Sequence, residues 1–136
     1  MKRYLLDTGI MGDFINHRGV VPERVREARL SGARIGTSMP VVGELFFGVE
    51  YSQSRERNLK VLLRALTQIP CWPFTRSAAA EFGRIAADLK RRGRPMQQID
   101  IMIAAIALSL GDCTVVSTDS DLCAIPGLSV ENWVRA

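Results

Sequence analysis

Apolar positions along the chain fall into two rhythms, short continuous runs and longer stretches with helical spacing. "RYLLD" is a brief apolar run ending on Asp7, the pattern of a buried strand. "TGIMGDFIN" follows with Ile10, Met11, Phe14 and Ile15 at helical spacing, and Thr8 is its candidate cap. "VPERVREARLSG" reads as an amphipathic helix, with Pro22 in its first turn and Gly32 past its end. "ARIGT" is a second short strand. In "TSMPVVGELFFGVEYS", Ser38 is the candidate N-cap, and Val41, Val42, Leu45, Phe46 and Val49 mark a helix. "SRERNLKVLLRALTQ" is a further amphipathic helix, stopped by "IPCWPF". "RSAAAEFGRIAADLKRRG" is Ala-rich and capped by Gly93. "IDIMIAAIALSLG" is apolar nearly all round, which marks a buried helix ending at Gly111. "CTVVST" is a buried strand, "DSDLCAI" a short helix or turn, and "LSVENW" a last strand. The order β-α-α-β-α-α-β-α-α-β-α-β predicts an α/β fold: one domain over 1–136, with a mostly parallel sheet of four to five short strands flanked by helices.

Composition agrees with one soluble, cytoplasmic domain. A chain of 136 residues buries enough surface to fold without disulfides or a structural metal. Asp7 interrupts the apolar stretch after Lys2 and Arg3 too early for a signal peptide, and "IMIAAIALSLG" is too short to span a bilayer. Cys71, Cys113 and Cys123 are odd in number and contain no C-x-x-C pair, so they read as free thiols. The single His17 excludes a His-based zinc site. Fifteen of the eighteen basic residues are arginine, the side chain suited to bidentate phosphate contact, and the net charge is +4.

Asp7, Thr8 and Gly9 spell the Asp-Thr-Gly of aspartic proteases. Those enzymes are almost all β, and Ala or Ser normally follows the motif. Here Ile10 follows and a helix begins at once, so a protease is rejected. The carboxylates suggest other chemistry. In open parallel sheets ligands bind beyond the carboxyl ends of strands. Asp7 lies at one such end, and Asp119 and Asp121 lie just past another. Glu44 sits among apolar neighbours in "PVVGELFFGV", and Asp100 opens the most apolar helix. A buried carboxylate needs a partner or a cation, and a group of them favours a hard ion such as Mg²⁺ or Mn²⁺. Such a site can activate water for phosphoryl displacement. It would also suit a receiver-type or phosphatase-type magnesium pocket. With Asp7, Glu44, Asp100 and Asp119 gathered on metal, ten acids remain against eighteen basic residues, which leaves a basic surface fit for a polyanion.

Four segments, in order, resemble PIN-domain ribonucleases of the VapC type, the toxins of bacterial and archaeal toxin–antitoxin pairs. They are "YLLDTGIMGDF", "IGTSMPVVGELFFGVEYS", "RIAADLKRRGRPMQQIDIMIAAIALSLG" and "TVVSTDSDLCAIPGLSVENW", and together they cover essentially the whole chain. The resemblance implies a Mg²⁺- or Mn²⁺-dependent endoribonuclease that cuts cellular RNA, forms a homodimer and is held in check by a cognate VapB-type antitoxin. It assigns the catalytic acids to Asp7, Glu44, Asp100 and Asp119. Asp7 and Asp100 would be the principal metal ligands, Glu44 and Asp119 would complete the site, and Asp121 would be auxiliary. Three positions depart from the family pattern: Gly9 replaces the usual Asn, Ile106 stands where His is frequent, and Leu122 stands where an aromatic is common. None of them removes an acid.

Two rival readings follow from the same residues. A PIN-like module that has lost catalysis would only grip RNA or a partner, and Gly9 is the one feature in its favour. A DNA-directed nuclease would need the same acids. Arg91, Arg92 and Arg94 form the densest basic cluster, just before Asp100, and are expected to guide RNA toward it.

Overall fold

The computed structural model describes residues 1–134. Strands β1 (Arg3–Leu6), β2 (Arg34–Ser38), β3 (Cys71–Trp72), β4 (Cys113–Val116) and β5 (Ser129–Glu131) form one sheet in the order β3-β2-β1-β4-β5. Every neighbouring pair is parallel. The helices are α1 (Thr8–Ile15), α2 (Val21–Leu30), α3 (Met39–Tyr51), α4 (Arg55–Leu66), α5 (Arg76–Arg91) and α6 (Gln98–Leu110), and a 3₁₀ turn covers Ser120–Ala124.

Leu5 and Leu6 show why the apolar runs are continuous rather than alternating. Successive strand residues face opposite sides of a sheet, and both of these are fully buried. The sheet is therefore covered on both faces, as parallel sheets usually are. Cys113 through Val116 of β4 are all buried for the same reason. Ile101 and Ile103–Ala107 are buried in α6, which matches its all-round apolar character. Among the described residues no helix is long and apolar enough to cross a membrane.

Two local features set up the site. β1 is central, and the chain works outward from it in one direction to β2 and β3, then in the other to β4 and β5. The reversal falls between β1 and β4, and open parallel sheets bind ligands beyond the strand ends at such a point. The second feature corrects the sequence reading. Asp7, not Thr8, is the N-cap of α1: its carboxylate accepts a 3.0 Å hydrogen bond from the Ile10 N–H. Asp is a stronger cap than Thr, and an anion there also meets the positive end of the helix. Ser38 caps α3 as the pattern suggests, accepting from the Val41 N–H. All three cysteines are free, with Cys113 buried, Cys71 half-buried and Cys123 exposed.

Candidate active site at the carboxyl ends of β1 and β4

Asp7 leaves the end of β1 on one side of this switch point, and its backbone N–H bonds the Val116 carbonyl at the end of β4. Three residues past that carbonyl the chain reaches Asp119 on the other side. Ser117 joins the two. It is 2% exposed, its hydroxyl accepts a 3.0 Å hydrogen bond from the Asp119 N–H, and it bonds the Asp7 carboxylate. A hydroxyl can do both, donating its proton to the anion while a lone pair takes the N–H. Asp119 in turn caps the 3₁₀ turn by accepting from the Asp121 N–H at 2.9 Å.

Glu44 comes in on α3. Its carboxylate accepts a short hydrogen bond from the Thr8 hydroxyl, which fixes it beside Asp7. Beneath them the buried Thr37 hydroxyl donates to the Leu6 carbonyl at 2.7 Å, tying the end of β2 to the end of β1. Asp100 comes from the first turn of α6.

The charges of these acids reach one another. Burial pushes the Asp7 carboxyl above its ordinary range, and Asp119 and Glu44 push it further. The hydrogen bonds from Ser117 and Ile10 pull the other way. Asp100 is raised by burial, then by Asp119, Glu44, Asp7 and Asp121. Among the described residues no Lys, Arg or His forms an ion pair with Asp7, Glu44, Asp100 or Asp119. The site thus lacks a positive charge, and oxygen-only donors of this kind match a hard divalent cation. Among the described residues, however, no three His, Cys, Asp or Glu side chains stand close enough to close a cage around an ion. These two facts are compatible for a small hard cation, which keeps several waters and takes only one or two carboxylates directly.

The acid expected to be auxiliary meets one arginine of the basic cluster, and the cluster itself divides. Asp121 is exposed and lies 3.7 Å from an Arg94 guanidinium nitrogen. Arg92 is committed to structure: it pairs with Asp88 at 2.9 Å and donates to the Ala124 carbonyl, holding α5 against the 3₁₀ turn. Arg91 is exposed and has no acidic partner among the described residues. The three arginines are neighbours in sequence but have different occupations.

The sequence reading overlooked Ser117 as a site residue. Its signal was faint, a hydroxyl directly after a fully buried strand and two residues before an acid. Thr8 reads from its position as a cap, but its hydroxyl goes to Glu44, a target that spacing along the chain does not show.

A family model for the PIN domain matches residues 4–128. The chain therefore belongs to the PIN-domain family. Over 134 residues it is 34% identical to the tRNA(fMet)-specific endonuclease VapC of Shigella flexneri, covering 98% of this chain and 99% of that one. The toxin–antitoxin complex VapBC of Salmonella typhimurium, solved bound to DNA, contains a chain that superposes with a TM-score of 0.89 at 31% identity, over 98% and 99% of the two chains. A chain of VapBC2 from Rickettsia felis, bound to a DNA fragment from its promoter, gives a TM-score of 0.89 at 26% identity, over 96% and 98%. With 30% identity exceeded over nearly the full length, the chain falls in the VapC branch of the family.

Proposed function

We propose that this protein is the endoribonuclease toxin of a VapBC-type pair, a single PIN domain over residues 1–136 acting in the cytoplasm. The observation that carries the reading is the group of four carboxylates without cationic partners at the β1–β4 switch point. Asp7 and Asp100 would be the principal ligands of Mg²⁺ or Mn²⁺, with Glu44 and Asp119 completing the site and Asp121 auxiliary. When bound, the cation supplies charge neutralisation and a lowered pKa for attacking water.

The protein's own residues do the rest. Ser117 and the Ile10 N–H aim the Asp7 carboxylate and favour its ionised form. Thr8 holds Glu44 in one rotamer. Asp119 is fixed from both sides, by its own N–H on Ser117 and its carboxylate on Asp121 N–H. Arg91 and Arg94, just before Asp100 in the chain, would attract the RNA backbone, while Arg92 is held by Asp88 and the Ala124 carbonyl. The partners are RNA, a VapB-type antitoxin and a second copy of this chain. Initiator tRNA is the first substrate to try, because the Shigella flexneri relative is specific for it.

The test is direct. Protein stripped with EDTA should leave RNA intact, regain cleavage with Mn²⁺ or Mg²⁺, and give a calorimetric binding signal with either ion. Undiminished cleavage in EDTA, or no heat of Mn²⁺ binding, would reject it.

A further inference from the structure

Behind the loop that joins α5 to α6 lies a hollow of about 330 Å³. Its floor is apolar: Ala86 and Leu89 on α5, Met96 on the loop and Ile101 on α6. Lys90 and Arg94 stand on its rim. α5 supplies its wall because Ala86 is followed at three- and four-residue spacing by Leu89 and Lys90, which share its face. Gly93, at φ +63°, turns the chain over the top. Two links connect the hollow to the acids. Ile101 follows Asp100 on α6, and Arg94 reaches from the rim to the Asp121 carboxylate at 3.7 Å. Lys90 and the neighbouring Arg91 have no acidic partner among the described residues, so the rim is cationic where the site behind it is anionic.

From this geometry we infer that the α5–α6 hollow receives one nucleobase of the RNA, next to the phosphate held at the acids. The inference rests on the ribonuclease reading above. The occupant follows from the chemistry of the walls. An apolar floor takes the face of a base, and a cationic rim takes the phosphates on either side of it, an arrangement used to seat splayed-out single-stranded bases. The volume lies at the lower end of small-molecule sites, suited to one base rather than to a peptide segment. Arg94 touches both places, the rim of the hollow and Asp121. It would couple the seating of a base to the position of the acid. An acidic segment of another protein would satisfy the rim but leave the apolar floor unfilled.

The experiment uses the cleavage-impaired Asp7→Asn protein, so that RNA survives. A short single-stranded oligoribonucleotide is scanned with an abasic residue at each position, and binding is measured by fluorescence anisotropy. One position should lose affinity by roughly 5- to 50-fold, the worth of a stacked base, with the others nearly unchanged. Ala86→Phe in the same background fills the hollow. It should flatten the scan by weakening the intact oligonucleotide to the level of the abasic one. In the otherwise wild-type protein it should broaden the distribution of cut sites. A flat scan with oligonucleotide still bound would overturn the base pocket and leave the ribonuclease reading standing. No oligonucleotide binding at all would remove both. If Ala86→Phe changes the sedimentation of the protein while leaving the scan intact, the hollow packs against a second copy, and the inference is wrong.

Discussion

The two ends of the sheet are built to opposite rules. At the amino end, charges and hydroxyls are matched. Lys2 donates to the Thr114 hydroxyl at 2.7 Å and lies 3.9 Å from Asp112. Thr114 pairs with the Ser129 hydroxyl at 2.8 Å. Arg3 donates to the Gly111 carbonyl at 2.9 Å, and Arg24 lies over the buried Trp133 ring, which itself packs on Tyr4. At the carboxyl end, four acids face one another with hydroxyls and N–H groups for company and no cation. The same strands run through both ends, so the difference lies in the side chains and not in the backbone. One end has its charges matched, and the other leaves four carboxylates without a cationic partner among the described residues. A site of the second kind is held in place at some cost to stability, and this gives the comparison measurable consequences.

Removing an acid should have the largest effect, and of opposite sign in activity and stability. Asp7→Asn and Asp100→Asn should each lower RNA cleavage by about 10³-fold, since a ligand to the cation contributes more than the 10- to 100-fold typical of the groups that support ligands. Without metal, the same proteins should be more stable than the parent. Asn caps a helix as well as Asp, so Asp7→Asn keeps the cap while removing one repelling charge. The gain should be on the order of 1 kcal/mol, a rise of roughly 3–5 °C in Tm. Thermal melts in EDTA check this. A lowered Tm in both would mean that the carboxyl end is as well matched as the amino end.

Ser117→Ala tests whether the site is held or merely adjacent. The substitution deletes the hydroxyl that joins Asp7 to Asp119 and should cost 10- to 100-fold in Mn²⁺ affinity or cleavage, the usual loss for a supporting partner. It also removes a bond that lowers the Asp7 pKa, so the acidic limb of the activity profile should move to higher pH. Ser117→Thr should restore both. A loss of stability with no shift of the acidic limb would assign Ser117 a packing role only.

pH separates the two ends without mutation. Asp7 and Asp100 are both raised above the ordinary carboxyl range, so protons compete with the cation in mildly acidic solution. Mn²⁺ affinity measured by calorimetry should fall as pH drops through those raised values, above the range near 4 where ordinary carboxyls titrate. Stability of the metal-free protein takes the other sign. The folded form binds these protons more tightly than the unfolded chain. Stability from this source therefore declines as pH rises from the unfolded to the folded value, and returns on acidification through the same window.

Much of this was legible in the chain, for reasons that differ by residue. Asp7, Glu44, Asp100 and Asp119 stood out because each is attached to an element too apolar to leave the core, so their meeting near one end of the sheet followed from the alternation of strands and helices. The capping role of Asp7 was hidden. A cap and a metal ligand of the kind proposed ask for the same residue at the same place, and pattern alone gave the cap to Thr8. Strand order was hidden as well, because hydrophobic period is local and the switch between β1 and β4 is not. Arg92 looked like part of a cationic patch until its guanidinium was found on Asp88 and the Ala124 carbonyl. Side-chain partners more than a few residues apart, such as Thr8 with Glu44, depend on tertiary packing and leave no trace in spacing.

The smallest effect is expected at Gly9, where the chain leaves its family's pattern. An Asn there would supply an amide beside Asp7, and its absence raises the question of what steadies that carboxylate. The structure answers that Ser117 and the Ile10 N–H already do. Nor does the backbone require glycine. A Cβ at position 9 would meet only the Asp7 Oδ1, at 3.9 Å, an ordinary contact. Gly9→Asn should therefore fold and should stabilise α1 by a few tenths of a kcal/mol, since Gly is the costlier residue within a helix. It should tighten Mn²⁺ by only a few-fold, because the new amide adds to a carboxylate that is already aimed. A hundred-fold gain in metal affinity or cleavage would show that Asp7 is loosely held, and that the carboxyl end lacks more than a cation.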